Sequence, residues 1–441
     1  MKRLLSMTLW LAAATGQAEV TALVGGTLID GTLRAPIRDS VILIEGERIS
    51  AVGRVGELPV PSGATVISTE GMSVLPGLWD MHVHLMINGH ADYTHWDRTY
   101  ASQFRSVIMP ASARQLLLAG VTGARDLGAP LEDSLAVKQA VAQGRIPGPT
   151  VFVSGPFVQK KPYPGTELFR WGVEGVADAR AKVKRLADAG VDVIKLIDQD
   201  EMTMAEVEAV VAEAHARQLP VVAHAHRPEE IRRGLAAGVD CFEHTGLSAA
   251  PEYPEDVIAV LRERTAQMAK GPLFWTPTIE GLFNFPHVVQ HHEHLDNDSW
   301  HNGLPPDIVA DIKRSLAHPE RISYFQQTPQ RFPTLRRKFQ QLRESGVRML
   351  IGTDSGIPMK FHSQSTWNEL DVWVSQLGVP PMEAIRAATY WPAVAMNVID
   401  DVGTVSPGKY ADIIGVRGDV LRHIALLQDV DLVVKRGRKV K

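Results

Sequence analysis

Cysteine is nearly absent: Cys241 is the only one in 441 residues. No internal disulfide can form, so stability rests on core burial and on any ions the chain holds. Cys241 itself lies in an apolar, strand-like segment, the setting of a buried and inert thiol. An excess of positive charge is also missing. The 46 Lys and Arg face 50 Asp and Glu, a formal net charge of −4, which removes the electrostatic footprint of a nucleic-acid binder. Past the first residues no apolar run is long enough to cross a bilayer. No low-complexity tract or short repeat appears, and no glycine-rich phosphate turn follows the first barrel-type strand, which speaks against a doubly wound nucleotide fold. What is present is ordinary globular composition, 45% apolar and 22% charged, in a chain long enough for one large α/β domain and a smaller one.

The N-terminus reads as separate from the fold. MKR supplies charge, LLSMTLWLAAA an apolar stretch, and Gly16-Gln17-Ala18 small residues at cleavage positions. That is the pattern of a secretory signal peptide over residues 1–18 and implies a periplasmic or secreted protein with no membrane anchor after cleavage. Removing Lys2 and Arg3 takes the charge from −4 to −6 (−4 − 2).

Residues 19–75 and 400–441 share a texture of short Val/Ile/Thr/Gly runs, such as SVILIEGERISAVG and VDLVVKRGRKV. They read as β-hairpins, and two β-rich ends around a different middle suggest one small β-sandwich domain built from both. The middle, 76–399, alternates apolar strands with amphipathic helices. Strands are expected at 73–80, 120–127, 150–155, 191–197, 219–225, 238–244, 272–279 and 346–354, with helices such as VADARAKVKRLADAG and EVEAVVAEAHARQ between them. Eight βα units in about 320 residues match an α/β fold of the (β/α)8 TIM-barrel type. An insertion at about 280–343 interrupts it and carries His287, His291, His292, His294 and His301. It reads as a helical lid or, alternatively, a second metal site.

In WDMHVHL, His82 and His84 are two residues apart in a strand, so both imidazoles leave the same face. Two neutral imidazoles converging on one point suit a divalent metal. Lys195 lies in the fourth strand among apolar neighbours, His224 closes the fifth, His244 the sixth, and Asp354 follows the eighth in GTDSG. All six fall at carboxyl ends of strands, where barrel enzymes place their sites.

These residues carry a resemblance. PGLWDMHVHL, the lysine of VIKLI, VVAHAH, EHTG, GTDSG and the terminal VGTVSPGKYADIIGV together resemble the amidohydrolase superfamily over essentially the whole mature length. The chain is most similar to its prolidase-like and imidazolonepropionase-related branch, which includes Xaa-Pro dipeptidases, basic-residue carboxypeptidases and ochratoxin-type amidases. The resemblance implies two divalent metal ions, usually zinc. His82, His84 and Asp354 would hold one, and His224 and His244 the other. Lys195, carboxylated by carbon dioxide to N6-carboxylysine, would bridge them. A buried lysine with a depressed pKa offers the neutral amine this needs. The implied reaction is attack on an amide carbonyl by a metal-bridging hydroxide, with Asp354 as proton shuttle.

Around this set, His226 shares the strand face of His224 and is expected to face substrate or support the oxyanion, with a structural role behind the ligands as the alternative. Asp80 and Glu243 are candidates to hydrogen-bond the ligand histidines. Lys160, Lys161, Tyr163 and Arg170, in the loop after the third strand, and Arg227 are candidate contacts for a small-molecule substrate's carboxylate. His362 and Trp367 are candidates to line a leaving-group pocket. The Gly-Gly-His turn frequent in dipeptidase-like relatives is absent from that loop. Dipeptides, N-acyl amino acids and xenobiotic amides are the substrates considered. Hydrolysis of a cyclic amide, lactone, carbamate or phosphoester, deamination, and non-catalytic metal binding are the alternatives. A homo-oligomer is compatible with all of them.

Overall fold

A computed structural model describes residues 20–246, 248–290, 295 and 297–441; the signal peptide expected over 1–18 lies outside them. The two chain ends meet in one eight-stranded sheet. Val20–Leu28 pairs antiparallel with Ile37–Glu45, which pairs with Arg48–Arg54. On the other side, Met72–Pro76 lies parallel to the first strand and antiparallel to Ile413–Arg417, which pairs in turn with Leu432–Lys435. Strand alternation sends Leu23, Ile42, Ile44, Val74, Ile413 and Val434 into one apolar cluster, so the ends are fastened to each other by burial.

The expected strand at 73–80 is in fact two. Met72–Pro76 belongs to the terminal sheet and Leu78–Val83 opens a parallel sheet, with Gly77 as the joint. Gly77 N–H donates to Asp412 O and Leu78 N–H to Gly120 O, each at 2.9 Å, so adjacent amides serve different sheets. A Cβ on Gly77 would stand 2.2 Å from the Thr122 side chain. An unbroken apolar run carries no mark of such a change of partner.

The middle of the chain is α/β with parallel sheets. Leu78–Val83, Val121–Asp126 and Thr150–Val153 form a three-stranded sheet. The other has seven strands in the order Arg170–Gly172, Phe157–Gln159, Ile194–Leu196, Val221–His224, Cys241–Glu243, Phe274–Thr276 and Arg348–Met349. Backbone bonds tie the sheets at both edges: Met81 N–H to Ile351 O at 3.0 Å, Asp354 N–H to His82 O at 2.6 Å, and Asp192 N–H to Val153 O at 2.8 Å. The short strands at 157–159 and 170–172 come from the loop after the third expected strand, which has no strand pattern of its own.

Helices fill the connections as their periodicity requires. Val176–Ala189 buries Ala179, Val183 and Leu186, one face of a 3.6-residue period, and ends at Gly190 with φ 95°. Met204–Ala216 starts with a capping box between Thr203 and Glu206. The insertion carries the helices Glu280–Gln290, Pro306–Ser315 and Ser323–Glu344. His291, His292 and His294 lie outside the described residues. His301 contacts Asp298 at 3.0 Å and belongs to no converging ligand group among the described residues.

Candidate metal centre and its cavity

His82, in the last turn of its strand, is buried and fixed from behind. Its Nδ1 lies 2.9 Å from Glu243 Oε2. A carboxylate only accepts, so Nδ1 carries the proton and Nε2 presents a lone pair. Glu243 is held in turn by Arg125, whose NH2 donates to Oε1 at 2.6 Å while Nε donates to Met81 O at 2.8 Å. Asp80 ties the first strand to the eighth by accepting from His82 N, Thr353 N, Thr353 Oγ1 and Thr366 Oγ1. Burial raises the pKa of the Asp80 carboxyl to about 6 against those four bonds. Both acids expected near the ligands therefore brace them, Glu243 through the imidazole and Asp80 through the backbone.

The expected ligands converge in two groups. His84 Nε2 and His82 Nε2 stand 3.0 and 3.4 Å from Asp354 Oδ1. Tetrahedral bonds of about 2.0–2.1 Å place ligand atoms about 3.4 Å apart, so the spacing fits one ion. His224 and His244 rings lie 4.7 Å apart, and His226 joins them, stacked on His244 at 4.3 Å. His244 Nδ1 is bonded to Thr278 Oγ1 at 2.8 Å. Burial holds the pKa values of His82, His224 and His244 well below the usual imidazole range, and that of His226 at about 3. All four are neutral lone-pair donors at neutral pH. Asp354 and His244 have φ of 65° and 78°, a backbone that L residues adopt at a cost and that sites impose.

Lys195 is fully buried and close enough to both groups for its charge to act on His82, His224 and His244, and its Nζ has no hydrogen-bond partner among the described residues. Burial draws its pKa down to about 8, against the pull of Glu243. An unpartnered buried amine is costly, and a negatively charged carbamate beside two cations would relieve that cost. The donor set of imidazoles and a carboxylate, with a buried lysine beside them, fits divalent ions.

The centre opens into a cavity of about 660 Å³ reached by His84, His224, His226, His244 and Asp354. Tyr163 and Arg170 line it, and Arg170 packs over the rings of Phe157 and Tyr163 at 4.9 and 4.5 Å. Among the described residues Arg170 has no ion pair; NH1 donates to Gln159 Oε1 at 3.0 Å and Nε is unpartnered. Arg227 also lines the cavity but is ion-paired to Asp198, Asp200 and Glu230, so its charge is already met. Lys160 is paired with Glu206 at 2.6 Å. His362 does not line the cavity. It is fully buried, and its nitrogens engage Ser355 Oγ at 2.9 Å and Ile87 O at 3.0 Å, so it holds the turn after Asp354. Trp367 packs against the core. Sequence reasoning missed Tyr93, Tyr324, Arg331 and Lys360 on the cavity wall, because nothing local marks them.

The sequence profile described as the Amidohydrolase family matches residues 73–440. The chain belongs to this family and is a hydrolase with prolidase and ochratoxinase relatives. It is 25% identical to ochratoxinase from Aspergillus niger over 479 aligned positions, covering 97% of this chain and 88% of that protein. A prolidase structure in complex with N-methylphosphonate-L-proline is 25% identical, with a TM-score of 0.71 over 96% of this chain and 99% of that one. A Xaa-Pro dipeptidase with methionine bound in its active site shares the fold at 24% identity, with a TM-score of 0.72 over 96% and 100%.

Proposed function

We propose that the chain is an exported, binuclear metal-dependent hydrolase that cleaves an amide bond of a dipeptide, an N-acyl amino acid or a xenobiotic amide. In this reading residues 76–399 close as a (β/α)8 barrel, the single sheet built from 19–75 and 400–441 folds over on itself as a small β-sandwich domain, and removal of 1–18 delivers the enzyme to the periplasm or the medium. The edge bonds between the two parallel sheets support closure.

His82, His84 and Asp354 would hold one ion, His224 and His244 the other, and carboxylated Lys195 would bridge them. Ions bound there would supply an activated water and polarise the scissile carbonyl. Asp354 is the acid–base group: its carboxylate is 18% exposed toward the cavity, so it can accept the proton of the attacking water and return it to the leaving nitrogen. His226, neutral and on the cavity wall, offers a hydrogen bond to the developing oxyanion. Arg170, stacked on three aromatic rings and in no ion pair among the described residues, with Asp97 and Asp198 acting on it only from longer range, supports an anionic substrate end through a charge-assisted contact.

The observation that carries this reading is the unpartnered Nζ of Lys195 amid five other ligand groups. Metal content and activity on a panel of N-acyl amino acids and Xaa-Pro dipeptides test it. Lys195→Ala should hold about two equivalents fewer than wild type, with activity lost. Metal content unchanged by the substitution, or ammonia released from aminopurines instead of amide cleavage, would overturn it.

A further inference from the structure

Away from the catalytic centre, three more ligand-type side chains meet between the helix Tyr93–Tyr100 and the insertion helix Pro306–Ser315. His95 Nε2 and His90 Nε2 lie 2.8 and 3.6 Å from Asp311 Oδ2. The two imidazoles stack with ring centroids 5.3 Å apart. These separations bracket the spacing of about 3.4 Å that tetrahedral ligation at 2.0–2.1 Å sets. His90 and Asp311 side chains are 4% and 15% exposed, while His95 is 45% exposed, so the site is walled on one side and open to solvent on the other.

The surroundings hold each donor in a usable state. His90 Nδ1 is 3.0 Å from both Asp92 O and Asp92 N. Donating to Asp92 O leaves Nε2 with a bare lone pair, the arrangement that orients metal-bound histidines, whereas accepting from Asp92 N–H leaves the proton on Nε2, which an ion would displace. Asp311 Oδ1 accepts from Arg314 at 2.9 Å and Oδ2 from the Tyr100 hydroxyl at 2.9 Å. The second lone pair of Oδ2 meets His95 Nε2 at 2.8 Å, the direct contact that an ion between the two would replace. Arg314 is 70% exposed, so its charge is well screened and its contact falls on the other oxygen.

We propose that His90, His95 and Asp311 bind one divalent ion of the zinc class and that this ion staples the cavity wall to the insertion. Three protein donors leave a fourth position for water, and two imidazoles with one carboxylate select a transition-type ion over calcium or magnesium. The mechanical consequence follows from the helix that carries His95. Tyr93, Thr94, Asp97 and Arg98 on that helix line the cavity, while Trp96 and Tyr100 are buried in the core behind it. A helix of 8 residues is too short to persist on its own strength. Apart from packing, its described ties to the insertion include the contacts to Asp311, the side-chain interaction of Tyr93 with Tyr324 and, just ahead of the helix, the bond from Ala91 N–H to Ser315 Oγ at 3.0 Å. An ion there fixes the position of Tyr93 and Asp97 against Tyr324 on the facing insertion helix.

The test uses the full purified chain, its His95→Gln and Asp311→Asn variants, and both substitutions repeated on Lys195→Ala. Each protein is equilibrated at micromolar free Zn²⁺, its bound zinc is counted by mass spectrometry, and the zinc-dependent rise in Tm is recorded. Each variant should hold one equivalent fewer than its parent and show a smaller rise. The Lys195→Ala background keeps the accessory ion countable whether or not the catalytic centre binds as proposed. His95→Gln alters a half-exposed side chain and Asp311→Asn preserves shape, so folding is retained in at least one. Equal zinc in each variant and its parent, or a decrement that appears only at millimolar zinc, would overturn the proposal.

Discussion

At the floor of the cavity, His82, Lys195 and His224 rise from strands whose backbones are bonded to neighbours on both sides. Buried partners stand behind the ligands there, Glu243 behind His82 and Thr278 behind His244. At the mouth, Tyr163, Arg170, Tyr324 and Arg331 hang on a loop and an inserted helix, and Arg170 rests on aromatic faces in no ion pair, with Asp97 and Asp198 at longer range. The floor is therefore preorganised for chemistry that is the same for any substrate. The mouth carries unmet charge, which a substrate can meet, and so it is where selectivity is set. One region fixes what is done and the other fixes to what.

That division requires floor and mouth variants to separate in their kinetics. The largest effect falls on Asp354→Asn, which keeps a ligand oxygen and removes the proton acceptor. At saturating zinc it should lower kcat by about 10²–10⁴-fold with little change in KM. A KM effect alone would move Asp354 out of the reaction. Next is Glu243→Gln, which breaks the brace without touching an ion. Metal affinity should fall about 10–100-fold, and Tm should drop because Arg125 loses its buried counter-charge. Zinc titration against a competing chelator measures it, and an unchanged affinity would reduce Glu243 to a packing role. The smallest effect is expected at the mouth. Arg170→Met should raise KM for carboxylate-bearing amides by about 10-fold or somewhat more, the worth of one charge-assisted bond, with kcat and metal content preserved. Equal losses for neutral and anionic substrates would break the comparison.

Much of the floor is legible in the amino-acid sequence. Parallel strands buried on both faces read as apolar runs, and a polar residue at the end of such a run has few reasons to be there. That logic locates His82, His84, Lys195, His224, His244 and Asp354, and the structure brings all six together. The acids behind them are visible only as neighbours in sequence. That Glu243 braces His82 and not the adjacent His244 depends on a contact spanning 161 residues. The mouth is legible in part. Tyr163 and Arg170 line the cavity as expected, but Arg227 is neutralised by three carboxylates and His362 turns inward. A basic residue near a site looks the same in sequence whether its charge is free or spent.

The sequence by itself determined the alternation of strands and helices, the β-rich ends and the strand-end register of the ligands, because each follows from residue spacing of 2 or about 3.6 and from burial. Only the tertiary structure decided where the run at 73–80 changes sheets, which cations keep an unmet charge, and that His90 and His95 meet Asp311 from a helix more than two hundred residues away in the chain. Those outcomes depend on which distant surfaces come into contact, and spacing along a chain carries no record of distance through space.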